Sequence, residues 1–208
     1  MLLYDSQISG NCYKVRLLLA QLGVEYELHD VDVVERAQVP ENAIDYSDRA
    51  GVLGDVNPAL RVPTVVLDDG RPLAESNAIL CYFAEGTSFL PEDRFERAKV
   101  LQWLFFEQFS HEPYIAGVRF LVAYWSGPPL TSEIEWRRAA GYVALKAMEQ
   151  HLATRSFLVA EHYTIADMGL YAYTHVAEEG GFDLSKFPAI GAWLDRVAGQ
   201  PDHVPMMA

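Results

Sequence analysis

Cysteine is scarce in this 208-residue sequence, which has only Cys12 and Cys81. Two are too few for a disulfide framework, and the scarcity suits a reducing, cytoplasmic setting. Positive charge is also in deficit: 16 Lys and Arg stand against 29 Asp and Glu, a net charge of −13. No basic stripe is available to neutralise phosphates, so nucleic acid is not an expected partner. No apolar run is long enough to span a bilayer, which argues against a membrane partner. Met1-Leu2-Leu3-Tyr4 reads as the start of a strand, not as a leader with a basic region and a greasy stretch. The six histidines form no His/Cys cluster and no HExxH spacing, so no metal site is expected.

What is present is ordinary globular material, half hydrophobic and 22% charged, in a length that holds one large domain or two small ones. The first part alternates strand and helix signals. Leu2 to Tyr4 is a short strand; Gly10 to Leu22 carries Val15, Leu17, Leu18, Leu19 and Leu22 at helical spacing, with Gly23 as the stop. Tyr26 to Val34 reads as a second strand. Glu35 to Asp55 is polar and poorly periodic, a loop holding one short helix. Val62 to Leu67, then Asp68-Asp69-Gly70, then Arg71 to Leu73 reads as a hairpin, and a helix follows from Glu75. The order is a βαβ unit and then a ββα unit, which predicts a mixed sheet.

After a breakpoint at Gly86 to Pro91 every signal is helical. Glu92 to Trp125 predicts a long helix bent at Pro113, followed by helices at Thr131–Leu152, Thr164–Glu178 and from Ser185 or Lys186 to Ala198. The expected organisation is an α/β domain over 1–85 and an all-α domain over 86–208.

Three short motifs could carry chemistry. Val62-Pro63 is either an edge-strand proline or a cis bond that frees the Val62 backbone to pair with an extended ligand; the tripeptide leaves both open. Glu75-Ser76 stands where a strand gives way to a helix. There Glu75 could hold an ammonium while the helix start and the Ser76 hydroxyl hold a carboxylate, or the pair could simply cap the helix. Ser9-Gly10-Asn11-Cys12 has the spacing of a CxxC motif with serine in the first place. Ser9 or Asn11 at a helix start could hold a sulfur anion, while Cys12, one position deeper, reads as a core residue.

Together, Ser9-Gly-Asn-Cys-Tyr-Lys-Val-Arg16, Asn57-Pro58 with Arg61-Val-Pro63, and Glu75-Ser-Asn-Ala-Ile79 resemble the N-terminal domain of bacterial glutathione transferases, nearest the serine-using theta-like and nu-like groups. Thr164-Ile-Ala-Asp167 resembles the capping box of their helical domain, so the likeness covers nearly the whole chain. It implies a thioredoxin-like domain with a mixed four-stranded sheet, followed by a helical domain that supplies the second-substrate pocket and dimer contacts. It further implies glutathione as co-substrate, an electrophilic small molecule as second substrate, no other cofactor, and a homodimer. In site terms, Ser9 and Asn11 would hold the thiolate and Val62 would pair with the cysteinyl unit. Arg61, where the family often has lysine, would face the ligand carboxylates, and Glu75 and Ser76 would hold the γ-glutamyl head. Pro63, Thr164 and Asp167 would be structural. The segment between Val34 and Asn57 is longer than the family pattern, and no residue is assigned from it.

The aromatic-rich stretch Trp103 to Tyr114 lies where the family lines its second-substrate pocket. Most of Trp103, Phe105, Phe106 and Phe109 read as core by spacing; His111, Tyr114 and Arg119 are the polar candidates for the pocket, with a satisfied histidine as the competing reading of His111. The leading expectation is a transferase that directs a glutathione thiolate at an electrophile. The alternatives are a glutathione-dependent disulfide oxidoreductase or peroxidase, and a transferase-like module that only binds.

Overall fold

The computed structural model describes residues 1–34, 47–159 and 161–207. Two compact units emerge: Met1–Phe83 together with Val204–Ala208, and Ala84–His203. The expectation put the whole chain end in the helical domain. The difference arises because Tyr13 Oη donates to the Val204 carbonyl at 2.8 Å and Arg16 donates to the Met206 carbonyl at 2.7 Å.

The first unit follows the expected element order: β1 (Leu2–Asp5), α1 (Gly10–Gln21), β2 (Glu27–Asp30), α2 (Ser47–Leu53), β3 (Thr64–Val66), β4 (Pro72–Ala74) and α3 (Ser76–Ala84). The sheet order is β2-β1-β3-β4. β1 and β2 run parallel because α1 carries the chain back between them. β3 and β4 are antiparallel because a tight turn joins them, with Gly70 at φ 84° where a side chain would be strained. β2 is shorter than the Tyr26–Val34 expectation, and its four side chains are exposed. The core gathers Leu3, Val15, Leu19, Val65 and Ile79 from β1, α1, β3 and α3. Asp5 at the end of β1 is fully buried and accepts two hydrogen bonds of 2.6 Å from Arg16, which pins α1 onto the sheet. The expected loop from Glu35 lies partly outside the described residues; its short helix is α2.

The second unit is helical throughout: α4 (Arg94–Phe106), a π-helical turn (Glu107–His111), α5 (Glu112–Ala123), α6 (Thr131–Leu152), α7 (Ile165–Thr174) and α8 (Pro188–Ala198), with 3₁₀ turns at Ala177–Gly180 and Leu184–Lys186. The long helix expected over Glu92 to Trp125 is therefore interrupted by a π turn, not merely bent at Pro113. Proline has no N–H and its ring crowds the carbonyl four residues back, and the wider turn immediately before it takes up that mismatch.

Every residue of α7 is buried, so its start cannot borrow hydrogen bonds from water. Thr164 caps it, and Asp167 completes a capping box. Asp167 does more than cap: its carboxylate also accepts from Leu158 N at 3.0 Å and Trp193 Nε1 at 2.9 Å. One buried side chain thus ties the α7 start to α8 and to the preceding loop. Burial pushes its carboxyl up to about 6 from the ordinary 3.8, against the donors from Leu158, Trp193 and Thr164 that pull it down.

Asp167→Ala leaves these buried donors unsatisfied and is expected to destabilise the fold by about 3 kcal/mol or more, read as a lower denaturation midpoint. The pH dependence has a definite sign. The native value lies above the unfolded one, so the native state holds a proton between about pH 4 and 6 that the unfolded chain has lost. Wild-type stability relative to Asp167→Asn should therefore fall as pH rises across that interval, by up to about 3 kcal/mol, and level off above it. A difference that does not vary with pH would contradict this.

Candidate functional site

The strand register brings the candidate residues of the first unit to one end of its sheet. Thr64 pairs with Tyr4 of β1 on one side and with Ala74 of β4 on the other. Val62 lies two residues before Thr64, and Ser76 two residues after Ala74. Both therefore flank the same end of the β3–β4 ladder. The same end of the sheet is where β1 finishes and the chain turns into α1.

Ser9 is the N-cap of α1, with extended backbone at φ −82° and ψ 116°, and its Oγ accepts from Cys12 N at 3.3 Å. A capping hydroxyl that accepts in this way keeps its own proton for a ligand. Asn11, half-buried in the first turn, has its Oδ1 held by Lys14 Nζ at 2.7 Å and by Ser76 Oγ at 3.3 Å. Lys14 Nζ also donates to Ser76 Oγ at 3.3 Å, and the Lys14 side chain is entirely buried. The starts of α1 and α3 are thus joined by a three-membered polar cluster.

The Val62–Pro63 bond is cis, the second of the two readings of the tripeptide. The loop before it is held by Asn57, which is buried and donates through Nδ2 to the Arg61 carbonyl and to Thr64 Oγ1, both at 2.9 Å. The Arg61 side chain is exposed. Glu75 is exposed and sits at φ 70°, a left-handed conformation that a residue with a Cβ adopts at a cost of about 1–3 kcal/mol. Ser76 is the first residue of α3 and is buried.

The remaining candidates lie in the second unit. His111 is fully buried and its Nε2 lies 2.9 Å from Thr174 Oγ1. That hydroxyl already donates to the Leu170 carbonyl at 2.6 Å, so it accepts from His111, which therefore carries its proton on Nε2 in this contact. Arg119 is buried, pairs with Glu179 at 2.8 Å and donates to Tyr124 Oη at 2.9 Å. Tyr114 is half-buried with its ring edge-on to Trp136. His111 and Arg119 thus make interior contacts of the helical unit, the arrangement that the satisfied-histidine reading describes.

Two buried polar residues beside these candidates are not singled out by the sequence. For Lys14 the available signal is a single lysine among Val15, Leu17, Leu18 and Leu19, three residues after Asn11; for Asn57, which bonds Thr64 Oγ1, no local pattern marks the role. Among the described residues no group of three or more His, Cys, Asp or Glu could hold a metal ion, and no helix is long and apolar enough to cross a membrane.

Two family descriptions match the chain: glutathione S-transferase, N-terminal domain, over residues 8–85, and glutathione S-transferase, C-terminal domain, over residues 128–201. A glutathione S-transferase of Pseudomonas fluorescens, solved as a crystal structure, is 46% identical. The match covers 100% of this chain and 98% of that one, with a TM-score of 0.90. A maleylacetoacetate isomerase of Rhizobium meliloti is 31% identical over 95% of this chain and 91% of its own length. The Escherichia coli disulfide-bond oxidoreductase YfcG is 27% identical over 92% of this chain and 87% of its own. The fold is a thioredoxin-like domain followed by a helical one, with the candidate residues of the first gathered at one end of its sheet. The chain belongs to the glutathione S-transferase family.

Cys12 beside this site has its thiol pushed up to about 12 by burial and by the Asp5 carboxylate, more than the Ser9 hydrogen bond can offset. A thiol so raised is neutral and unreactive at neutral pH. Native protein at pH 8 should therefore leave Cys12 unmodified by iodoacetamide, while unfolded protein is modified at both cysteines, as peptide mass mapping would read. Rapid native alkylation of Cys12 would contradict the assignment.

Proposed function

We propose that this protein is a glutathione transferase that binds glutathione in its first unit, holds the thiol as thiolate and directs it at an electrophilic carbon. The observation that carries the reading is the junction of β4 and α3. An exposed acid is held in a left-handed backbone next to a buried serine at a helix start, and that serine is bonded to Asn11. A purely structural junction would be served better by glycine at position 75.

In this reading Glu75 holds the γ-glutamyl ammonium, and Ser76 with the first N–H groups of α3 holds its carboxylate. Val62 pairs through its backbone with the cysteinyl unit, an arrangement the cis bond supports. Arg61 offsets the ligand's carboxylates in an otherwise acidic chain. The Ser9 hydroxyl and the Asn11 amide donate to the sulfur. A free thiol has a pKa of about 8.5, so lowering it by about two units makes the anion dominant at neutral pH. The thiolate pair then forms the C–S bond, the leaving group departs with the bonding electrons, and the thiol proton passes to solvent. Of the three polar candidates in the helical unit, Tyr114 is the half-buried one and would meet the second substrate. In this reading the serine- and asparagine-type pattern supports a kinship nearest the theta-like and nu-like groups, with detoxification in the cytoplasm as the proposed setting and no cofactor besides glutathione.

A second reading, glutathione-dependent disulfide exchange, is favoured by the likeness to YfcG. There the same thiolate would attack a disulfide sulfur and release a thiolate. A dithiol route is disfavoured in either case because Ser9 stands in the first place of the CxxC spacing, and burial raises the Cys12 thiol. A homodimer is supported by Leu101 and Phe105 of α4 and Phe109 of the π turn, which are exposed apolar residues; Phe105 and Phe109 thus depart from the core reading of this stretch. Light scattering is expected to give twice the chain mass, and a single-chain mass at micromolar concentration would reject the dimer.

Two measurements test the site. Glu75→Ala should weaken glutathione binding by about 1–3 kcal/mol in calorimetry, and Glu75→Gly should do the same while raising stability by about 1 kcal/mol. Wild-type affinity in either variant would remove the assignment. In ultraviolet titration of the bound thiol, Ser9→Ala and Asn11→Ala should each raise the pKa. An unchanged pKa in both would leave the thiolate without its proposed donors.

A further inference from the structure

Arg16 reaches more acceptors than its charge requires. Its partner Asp5 is fully buried at the end of β1, and a lysine ammonium would neutralise that carboxylate equally well. The guanidinium does more. Nη1 donates to both Asp5 carboxylate oxygens at 2.6 Å and to the Ser6 carbonyl at 3.4 Å, while Nη2 donates to the Gln7 carbonyl at 3.3 Å and the Met206 carbonyl at 2.7 Å. Two chain segments far apart in sequence thus share one planar group. A broad fork of donors suits that arrangement, and a compact ammonium does not. The ion pair alone does not call for arginine; the backbone carbonyls do.

The first of these segments delivers Ser9. Ser6 to Ser9 form the turn between β1 and α1, closed by Ser9 N donating to the Ser6 carbonyl at 3.0 Å. That carbonyl therefore accepts from Ser9 and from Arg16 together. On the other side, Tyr13 N donates to the Ser9 carbonyl at 2.9 Å. The Ser9 backbone is held from both directions, and Arg16 braces the turn before it. Such bracing matters because a donor to a sulfur anion must be placed to within about 0.5 Å.

The second segment is Val204–Met206, which belongs to the same compact unit as α1. Two side chains one turn apart on α1 take its carbonyls: Tyr13 Oη donates to Val204 at 2.8 Å and Arg16 to Met206 at 2.7 Å. The Met206 side chain is buried. The segment is a strap along α1. Its pull on Nη2, with that of Asp5 on Nη1, fixes the plane in which the guanidinium meets the Ser6 and Gln7 carbonyls.

We propose that Arg16 is a positioning residue for the Ser9 hydroxyl, and that the Val204–Met206 strap sets it. Arg16 touches no ligand; it acts through the turn that carries Ser9. The inference rests on the reading above in which Ser9 donates to the glutathione sulfur.

The test uses the full chain with glutathione, in wild type, Arg16→Lys, Met206→Asn, their double variant, and each single change combined with Ser9→Ala. Bound thiolate absorbance is followed against pH, and affinity is measured by calorimetry at acidic pH, where the thiol is neutral. Arg16→Lys keeps a charge for Asp5 but loses the carbonyl contacts. It should raise the pKa of bound glutathione by about one unit and leave the acidic-pH affinity close to wild type. Met206→Asn puts an amide in an apolar site and undocks the strap without adding charge. It should raise the pKa by less, and it carries the test if Arg16→Lys does not fold. The double variant should match Arg16→Lys, because the strap acts through the guanidinium. Neither change should add a shift once Ser9 is alanine. A wild-type pKa in the folded single variants, or equal shifts with and without the Ser9 hydroxyl, would overturn the positioning role and leave glutathione binding standing. A wild-type protein that fails to bind glutathione, or an unchanged pKa in Ser9→Ala alone, would overturn the reading beneath it and the proposal with it.

Discussion

Thr64 is paired on both sides, with Tyr4 of β1 and with Ala74 of β4, and the candidate site depends on that double pairing. Because β3 is the strand shared by both ladders, one register fixes three chain segments at once: the end of β1 leading into Ser9, the Val62–Pro63 bond, and the Glu75-Ser76 junction. A slip of one residue would turn every side chain to the opposite face and send the buried Leu3 and Val65 out of the core. Burial therefore enforces the register, and the register places the candidate site residues. Asn57 reinforces it by bonding Thr64 Oγ1 directly.

Charge is arranged against the composition. The chain is strongly acidic, yet the sheet end that gathers the candidate residues receives two helix starts, the buried Lys14 ammonium and the exposed Arg61. Each helix start offers unpaired N–H groups and the positive end of a dipole. An anionic ligand is thus met by local positive potential inside a molecule whose net field would repel it. Asp5, at the end of β1, is paired with Arg16 at 2.6 Å, and Glu75 is the acid that the proposed site keeps exposed.

Much of this was legible in the sequence where the signal was local. The Asp68-Asp69-Gly70 turn, the α6 span from Thr131 to Leu152 and the Thr164/Asp167 box are set by short-range rules and appear where those rules put them. The cis bond at Val62–Pro63 was open to the sequence only as one of two possibilities, because the tripeptide alone is compatible with both. The π turn at Glu107–His111 was not legible, since no residue pattern marks where a helix widens ahead of a proline. Lys14 and the second anchoring role of Asp167 depend on partners 62 and 26 residues away, and such pairings exist only once the chain is folded. His111 and Arg119, singled out as polar residues in an aromatic stretch, proved to have interior partners for the same reason.

The central claim is that the first unit holds glutathione as its thiolate. Titration calorimetry of the wild-type protein with glutathione at pH 7, in two buffers of different ionisation enthalpy, tests it most directly. A thiol whose pKa falls from about 8.5 by two units must lose more than half a proton per site on binding, and the account predicts that release. Saturable binding without proton release would mean that the sulfur is held as a neutral thiol, and an absence of binding heat in both buffers would contradict the site itself.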